Sequence, residues 1–204
     1  MIARPFRAVL FDCDGVLADS EGLVNAIVAE ELTALGWPLS AQEAHATFLG
    51  QALPDMLPLI HARVGALPPQ WPAAISARIT AELARRLEPM PGAVQAVARL
   101  AARGMPLAVC SNSARAELAM KLAVLGLDPF FGARVFSFED VARPKPAPDI
   151  YHAAAIACGI AAEDCLVVED SATGVAAGLA AGCQVVALVP GLAAPHLPSL
   201  DMLA

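Results

Sequence analysis

The segment FDCDGVLADSE, residues 11–21, places two aspartates, Asp12 and Asp14, one residue apart at the end of a short apolar run. An apolar run of this length predicts a β-strand that is buried on both faces, as in a parallel sheet. Residues two apart in an extended chain share a face, so both carboxyl groups can address one bound molecule. Gly15 follows directly and allows a tight turn after the strand.

Composition and charge limit the classes of protein to which the chain can belong. It has 204 residues, and 57% of them are hydrophobic, enough for a core in one large domain or in a domain with a smaller insert. The formal net charge is −7, and the chain has only two lysines, Lys121 and Lys145. Because nucleic acids are held by clustered lysine and arginine, we expect no nucleic-acid partner.

The cysteines and the apolar segments indicate where the protein works. Five cysteines form no CxxC pair and no metal-ligand spacing, which is typical of buried thiols in a reducing compartment. The first apolar run is too short for a signal peptide. Residues 171–200 contain no Asp, Glu, Lys or Arg, but glycines and prolines interrupt them. We therefore expect a cytoplasmic protein that has no membrane partner.

Short apolar runs alternate along the chain with segments of helical length. Strands are predicted over residues 8–11, 107–110, 134–137, 165–168 and 184–188. Helices are predicted between them, over residues 93–103, 115–125, 147–158 and 173–181, and each ends near a glycine. Lys121 is expected on the exposed face of the helix over residues 115–125. This alternation predicts an α/β fold in which helices cover both faces of a parallel sheet.

Residues 19–88 break the alternation. They contain no strand run, and helices are predicted over residues 20–35, 43–48, 53–64 and 72–87. We therefore expect a core, residues 1–18 and 89–204, interrupted by a helical insert, residues 19–88. Such an insert would lie above the carboxyl ends of the strands, where open α/β sheets bind ligands. Residues 88–92, EPMPG, would form the return linker.

Polar side chains follow four of the predicted strands. The carboxyl ends of parallel strands meet at one edge of a sheet, so these groups can converge on one site. They comprise several carboxylates, one ammonium group and one hydroxyl group. The residues concerned are Asp12, Asp14, Ser111, Asn112, Lys145, Glu169 and Asp170.

Carboxylates that converge in this way predict a bound cation, because neighbouring negative charges raise one another's pKa values unless a cation intervenes. Oxygen ligands alone select a hard cation, and Mg²⁺ is the expected one. A carboxylate held beside the metal is a candidate nucleophile towards phosphorus. One of Asp12 and Asp14 would attack and the other would pass a proton to the leaving group. Ser111 and Lys145 would hold the phosphoryl oxygens.

Four stretches resemble the motifs of a known family, the haloacid dehalogenase-like phosphohydrolases. FDCDGVLADSE resembles the first motif, CSNS the second, RPKPAPDIY the third and VVEDSATGVAAG the fourth. The four occur in order and span residues 6 to about 189, and the full set is specific where each motif alone is weak. The chain is therefore identified as a member of this family. The resemblance implies a Rossmann-like catalytic core, residues 1–18 and 89–204, with a helical cap, residues 19–88, inserted after the first motif and responsible for substrate specificity.

The resemblance also implies a role for each catalytic residue. Asp12 matches the nucleophile, and Asp14 matches the general acid and base. Ser111 matches the hydroxyl that binds phosphate, and Asn112 beside it is expected to contact the substrate. Lys145 matches the cation that bridges the nucleophile and the phosphate, so it counts both as a catalytic and as a substrate-binding residue.

The metal ligands implied by the resemblance come from two motifs. Glu169 and Asp170 match the acidic pair that binds Mg²⁺. Asp12 would bind the metal through its side chain, and Asp14 would offer its backbone carbonyl. The implied enzyme is a Mg²⁺-dependent phosphatase that hydrolyses a small phosphorylated metabolite, such as a sugar phosphate, through an aspartyl-phosphate. We expect a monomer or a homodimer.

Differences between this sequence and the motifs of particular family members argue for some activities of the family and against others. Asp14 and the acidic pair argue against a true dehalogenase, and the lack of lysine in residues 19–88 argues against a phosphonoacetaldehyde hydrolase. The third and fourth motifs resemble those of the β-phosphoglucomutase-like subgroup. However, Leu23, Val24 and Asn25 stand where the mutase has a cap histidine, and Gln51 follows Gly50 near the place of a mutase arginine. A phosphatase is therefore preferred.

Two alternatives to a phosphatase stay open. One is a sugar-phosphate mutase, and the other is a non-catalytic protein that binds a phosphorylated metabolite. Specificity should reside in the cap, where several polar side chains could reach a substrate. These side chains belong to His45, Gln51, His61, Arg63, Arg78, Arg85 and Arg86.

Overall fold

The structure, a computed structural model, describes residues 5–48 and 53–203. The chain divides into two compact units. The larger unit contains the residues up to Asp19 and those from Glu88 onward, and the smaller unit is Ser20–Leu87. The larger unit is a parallel α/β layer structure and the smaller one is helical, so the predicted fold class is confirmed. Gly50 and Gln51 lie outside the described residues.

The strands of the described chain all belong to the larger unit. They are β1 (Ala8–Phe11), β2 (Ala18–Asp19), β3 (Glu88–Pro89), β4 (Leu107–Cys110), β5 (Val135–Phe136), β6 (Cys165–Glu169) and β7 (Gln184–Ala187). Five of them form one sheet in the order β5-β4-β1-β6-β7, and every pairing in it is parallel.

The helices alternate with these strands. The smaller unit contains α1 (Glu21–Ala34), α2 (Ala41–Phe48), α3 (Leu53–Val64) and α4 (Trp71–Arg86). The larger unit contains α5 (Ala93–Ala102), α6 (Arg115–Val124), α7 (Asp128–Phe131), α8 (Asp149–Cys158) and α9 (Ala172–Ala180). Short 3₁₀ turns occupy Phe138–Asp140, Ala162–Asp164 and Leu200–Leu203.

Strand β1 lies at the centre of the sheet, with Phe11 in register with Val109 of β4 and Val168 of β6. The chain adds β4 and β5 on one side of β1 and then β6 and β7 on the other, so the strand order reverses between β1 and β6. Open α/β sheets bind their ligands at the carboxyl ends of strands at such a reversal. Asp12 follows β1 there, and Glu169 ends β6.

The central strands are buried on both faces, as their continuous apolar runs predict. On one face, Leu10 belongs to a cluster with Ile150 and Ala154 of α8. On the other face, the ring of Phe11 meets the ring of Phe131 edge-on, with 6.3 Å between the centroids. Strand β5 is shorter than the predicted 134–137 because it lies at the edge and pairs with β4 at two positions.

Strands β2 and β3 form a small antiparallel pair at the points where the chain leaves the larger unit and returns to it. In it, Ala18 of β2 pairs with Pro89 of β3, and Asp19 pairs with Glu88. Residues 88–92 are the predicted return linker, and the first two of them form strand β3 of this pair. The pairing fixes the start and the end of the insert side by side.

The smaller unit has a hydrophobic core of its own. Its four helices enclose a cluster that includes Ile27, Leu32, Phe48, Ile60 and Trp71. Such a core is expected of a unit that is compact by itself. Within residues 5–48 and 53–203, no helix is both long enough and apolar enough to cross a membrane.

Candidate active site

The backbone hydrogen bonds of the sheet continue for one residue beyond the ends of β1 and β4. The backbone N–H of Asp12, just after β1, donates to the carbonyl of Val168 at 3.0 Å. The backbone N–H of Ser111, just after β4, donates to the carbonyl of Phe136 at 2.9 Å. These bonds fix the backbone from which both side chains project, and both residues are buried.

Lys145 connects two carboxylates at the centre of the site. Its ammonium group donates to Asp12 Oδ1 at 2.6 Å and to Glu169 Oε1 at 2.6 Å. The residue is only 6% exposed. Burial alone would lower the pKa of Lys145, but the two neighbouring carboxylates raise it above its usual value, so the ammonium stays charged.

Asn112 holds the backbone of Lys145 rather than pointing its amide at open space. The N–H of Lys145 donates to Asn112 Oδ1 at 3.1 Å, and Asn112 Nδ2 donates to the carbonyl of Lys145 at 3.2 Å. The two bonds tie the loop after β4 to the loop that carries Lys145. Asn112 therefore positions the lysine.

Glu169 accepts hydrogen bonds on both carboxylate oxygens. Its Oε1 accepts from Lys145 and from the Tyr151 hydroxyl at 2.7 Å. Its Oε2 accepts from the N–H groups of Asp170 and Ser171 and from the Ser171 hydroxyl, at 3.0–3.2 Å. Burial penalises the charge of Glu169, but Lys145 and these hydrogen bonds hold its pKa below the usual value.

The environment of Asp12 favours a charged carboxylate less than the environment of Glu169 does. Burial raises the pKa of Asp12 well above its usual value, Lys145 opposes that shift, and Glu169 and Asp170 add to it. One oxygen from each of Asp12, Glu169 and Asp170 lies within 4.8 Å of the others. Three carboxylates beside one ammonium leave two negative charges when all are ionised.

This group of three carboxylates fits a divalent cation. The donors are all oxygens, which suits a hard ion such as Mg²⁺. Gly15 makes room for the group, because a Cβ atom there would lie 1.9 Å from Asp170 Oδ2. Gly15 also has φ +74°, a conformation that glycine adopts without strain. Asp12, Glu169 and Asp170 are therefore the residues that could hold the metal.

The side chain of Asp14 belongs to a separate cluster. Its Oδ1 accepts from the ammonium of Lys121 at 2.5 Å, and its Oδ2 accepts from the Ser113 hydroxyl at 2.9 Å. Lys121 also pairs with Glu117 Oε1 at 2.6 Å. The side chain of Asp14 is not in the three-carboxylate group, so any contribution of Asp14 to a metal would come from its backbone.

The environment of Lys121 corrects one expectation. The amphipathic pattern of residues 115–125 predicts an exposed Lys121, but the residue is 1% exposed. That prediction is wrong because α6 turns this face towards Asp14 and Ser113. Burial alone would lower the pKa of Lys121, yet Asp14 and then other neighbours raise it. Two signals were available: Glu117 lies four residues before Lys121, and lysine is rare in this chain.

The structure brings most of the predicted site residues together. Lys145 joins Asp12 to Glu169, and Asp170 lies beside that pair. Ser111 is adjacent to the same loop, and its hydroxyl accepts from the N–H of Ser113 at 3.0 Å. Sequence reasoning missed Tyr151, although it lies in the quoted third motif. The sequence pattern marks Tyr151 as a core residue, and only its hydroxyl reaches the site.

Most polar side chains proposed for the cap have partners within that unit. Arg63 lies over the ring of Trp37, and His61 Nδ1 is 3.1 Å from the carbonyl of Gly65. The other arginines form ion pairs, Arg78 with Glu30 and Glu31, and Arg85 and Arg86 with Glu82. His45 Nδ1 lies 3.0 Å from Asn25 Nδ2, and both residues line a surface cavity of about 310 Å³.

Known proteins that are similar in sequence include phosphatases, as the chemistry of this site would suggest. The family model described as haloacid dehalogenase-like hydrolase matches residues 6–182. The 6-phosphogluconate phosphatase of Escherichia coli (strain K12) is 31% identical over 180 residues, which are 88% of this chain and 80% of that protein. Hexitol phosphatase A of the same organism is 30% identical over 209 residues, 96% of this chain and 89% of that protein.

Solved structures agree as well. A haloacid dehalogenase family hydrolase from Deinococcus radiodurans R1, solved with bound phosphate and sodium, is 37% identical with a TM-score of 0.76. The match covers 98% of this chain and 89% of that one. The chain therefore belongs to the haloacid dehalogenase-like hydrolase family. It is an enzyme, a phosphohydrolase of that family.

Proposed function

We propose that this enzyme is a Mg²⁺-dependent phosphatase that hydrolyses a small phosphorylated metabolite through a phosphorylated Asp12. The observation that carries the proposal is the environment of Asp12. Its carboxylate lies 2.6 Å from the ammonium of Lys145 and within 4.8 Å of the carboxylates of Glu169 and Asp170. A carboxylate beside a fixed cation and a candidate metal site is suited to attack phosphorus.

The reaction takes two steps in this proposal. First, a carboxylate oxygen of Asp12 bonds to phosphorus, the ester P–O bond breaks, and Asp14 gives a proton to the departing oxygen. Second, Asp14 takes a proton from water, and the water oxygen attacks the same phosphorus. The bond between phosphorus and Asp12 then breaks, which releases phosphate and restores both aspartates.

The remaining residues hold the transferring group. The ammonium of Lys145 and the hydroxyl of Ser111 bind phosphoryl oxygens, where fixed charges and dipoles stabilise the transition state. Asp12, Glu169 and Asp170 would hold the metal, and Glu169 also orients Lys145. When bound, Mg²⁺ neutralises the acidic group and the charge on the phosphate.

The substrate class proposed is a sugar phosphate or a related polyol phosphate. The names of the two Escherichia coli relatives support this choice, because 6-phosphogluconate and a hexitol phosphate both carry phosphate on a hydroxylated carbon chain. In the same proposal the insert, residues 19–88, is the cap that selects the substrate. The cavity at Glu21, Asn25, Gln42 and His45 offers it polar groups that can bind hydroxyls.

Turnover of p-nitrophenyl phosphate with and without EDTA tests the metal requirement. Phosphate release should stop after chelation and return when Mg²⁺ is added in excess of the chelator. Activity that survives full chelation would contradict the proposal. A panel of phosphorylated sugars and polyols, scored by phosphate release, then identifies the substrate. A product that is an isomerised sugar phosphate rather than free phosphate would indicate the mutase instead.

The proposal includes the cellular setting. The enzyme works in the cytoplasm on free metabolites, as a monomer or a homodimer, without a nucleic-acid or membrane partner. All five cysteines are unpaired, which supports a reducing compartment. The net charge of −7 supports the absence of a nucleic-acid partner.

A further inference from the structure

The chain contains two lysines, and each one is buried against a different aspartate of the first motif. Lys145 contacts Asp12, and Lys121 contacts Asp14. Burying an ammonium group costs several kcal/mol of solvation free energy unless carboxylates compensate for it. Lys121 projects inward from α6 and contacts Asp14, so its burial suggests a role that involves Asp14.

Both carboxylate oxygens of Asp14 are held. The ammonium of Lys121 donates to Oδ1 at 2.5 Å, and the hydroxyl of Ser113 donates to Oδ2 at 2.9 Å. Lys121 lies 3.1 Å from the same hydroxyl, so the three groups form a closed triangle. A carboxylate with a contact on each oxygen cannot rotate freely about its Cβ–Cγ bond.

Lys121 itself is anchored from its own helix. Glu117, one turn earlier on α6, accepts from its ammonium at 2.6 Å. The side chain of Lys121 is 2% exposed, whereas that of Asp14 is 30% exposed. Lys121 therefore contacts Asp14 from within the protein, while the side chain of Asp14 stays partly exposed to solvent.

We propose that Lys121 is a positioning residue that orients the Asp14 carboxylate for proton transfer. The inference rests on the proposed function, in which Asp14 protonates the leaving oxygen and later deprotonates water. Lys121 neither binds the phosphate nor exchanges a proton in these steps. Its effect is to fix where the transferred proton sits, which is what a general acid needs in order to act on a departing group.

A pair of aryl phosphates separates this role from a merely structural one. p-Nitrophenolate departs readily without a proton, whereas phenolate is a poorer leaving group that depends more on the acid. We therefore expect kcat/KM of Lys121→Met to fall roughly 10-fold to 100-fold for phenyl phosphate. For p-nitrophenyl phosphate it should fall by less than about 3-fold, because that step needs little help from Asp14.

A second variant keeps the test valid if Lys121→Met folds poorly. The double variant Lys121→Met/Glu117→Gln removes the ammonium together with one of the two carboxylates that it neutralises. We expect the same selective loss on phenyl phosphate. If a folded variant, single or double, retains the wild-type ratio of kcat/KM between the two esters, the positioning role is wrong.

Asp12→Asn, assayed in parallel, distinguishes failure of this inference from failure of the proposed function. Loss of turnover in Asp12→Asn with an unchanged ester ratio in the Lys121 variants overturns the inference alone. Retained turnover in Asp12→Asn overturns the proposed function and the inference that rests on it. Loss of turnover in Asp12→Asn with a selective loss on phenyl phosphate in the Lys121 variants supports both.

Discussion

The site has two halves that use the same pair of side chains in different surroundings. In the nucleophile half, Asp12 and Lys145 are 2.6 Å apart, and in the proton-transfer half, Asp14 and Lys121 are 2.5 Å apart. The two halves differ in how far the aspartate is exposed to solvent. The side chain of Asp12 is 12% exposed and that of Asp14 is 30% exposed, while both lysines are almost fully buried.

The difference in access matches the different chemistry of the two halves. A nucleophile benefits from a dry environment, because fixed charges act more strongly where water is excluded. A group that exchanges protons with the leaving oxygen and with water needs an open side. The acidic neighbours differ as well: Glu169 and Asp170 lie beside Asp12, whereas Glu117 lies beside Lys121 on the other half. The two halves therefore respond differently to substitution.

The largest expected effect is that of Asp12→Asn, which keeps the shape of the side chain and removes the nucleophile. We expect kcat for p-nitrophenyl phosphate to fall by roughly 10³-fold or more, since no other residue replaces the attacking oxygen. Steady-state phosphate release measures this. The corresponding change in the other half, Asp14→Asn, should cost less with this substrate, and equal losses would contradict the division of roles.

Lys145→Met should have the next largest effect. Removal of one charge that stabilises the transferring phosphoryl group costs roughly 10²-fold to 10³-fold in kcat. The variant also leaves Asp12 and Glu169 buried without their common partner, which should lower the free energy of unfolding by about 3–5 kcal/mol. Urea unfolding without metal measures the second quantity. Lys121→Met should lose less stability, because its main partner Asp14 is more exposed, and the opposite order would contradict the comparison.

Gly174→Ala perturbs the nucleophile half without replacing a charged residue. A Cβ atom at Gly174 would lie 1.7 Å from Glu169 Oε1, so Glu169 would have to move away from Lys145. We expect a loss of stability of about 1–3 kcal/mol, the usual range for overpacking, and roughly a tenfold loss in kcat. Thermal unfolding and phosphate release measure the two effects.

A matched glycine in helix α1 is the control for that experiment. Gly22 has no atom within 4 Å of an added Cβ, so Gly22→Ala should raise stability by about 0.5–1 kcal/mol, as expected for glycine in a helix. Similar losses in both variants would mean that the close approach of Gly174 to Glu169 is unimportant.

The smallest expected effect is that of Tyr151→Phe. The substitution removes one of the five hydrogen bonds to Glu169 and keeps the ring, whose centroid lies 5.0 Å from the ammonium of Lys145. We expect a loss of about 1.5 kcal/mol in stability and a change in kcat of less than about threefold. A loss as large as that of Lys145→Met would show that the Tyr151 hydroxyl is essential to the position of Lys145.

The sequence predicts the frame of the molecule because its signals are local. Strands buried on both faces require continuous apolar runs, so β1, β4, β6 and β7 are predicted to within a residue. Helix ends are marked by glycines, and the helical insert is recognised by its lack of strand runs. Polar residues at the ends of β1 and β6 and in the loop after β5 predict that Asp12, Lys145, Glu169 and Asp170 lie close together, and the structure brings them together.

The sequence does not predict contacts that depend on how a helix is turned. The pattern of α6 predicts an exposed Lys121, whereas the packing of α6 in the tertiary structure buries it. Tyr151 looks like any buried aromatic residue, and only coordinates show its hydroxyl at Glu169. The edge strand β5 is overpredicted because pairing on one side allows it to end early. Such features come from tertiary packing rather than from local pattern.

The central claim is that Asp12 carries the phosphoryl group during turnover. It is tested most directly by quenching the enzyme in acid while it turns over p-nitrophenyl phosphate with Mg²⁺, and by reducing the acyl phosphate with borohydride. Mass spectrometry of the peptide that contains residues 11–21 then reports the modified residue. Asp14→Asn, which should hydrolyse the intermediate slowly, raises its level. We predict homoserine at position 12 and none in Asp12→Asn, and reduction at another residue during turnover would contradict the account.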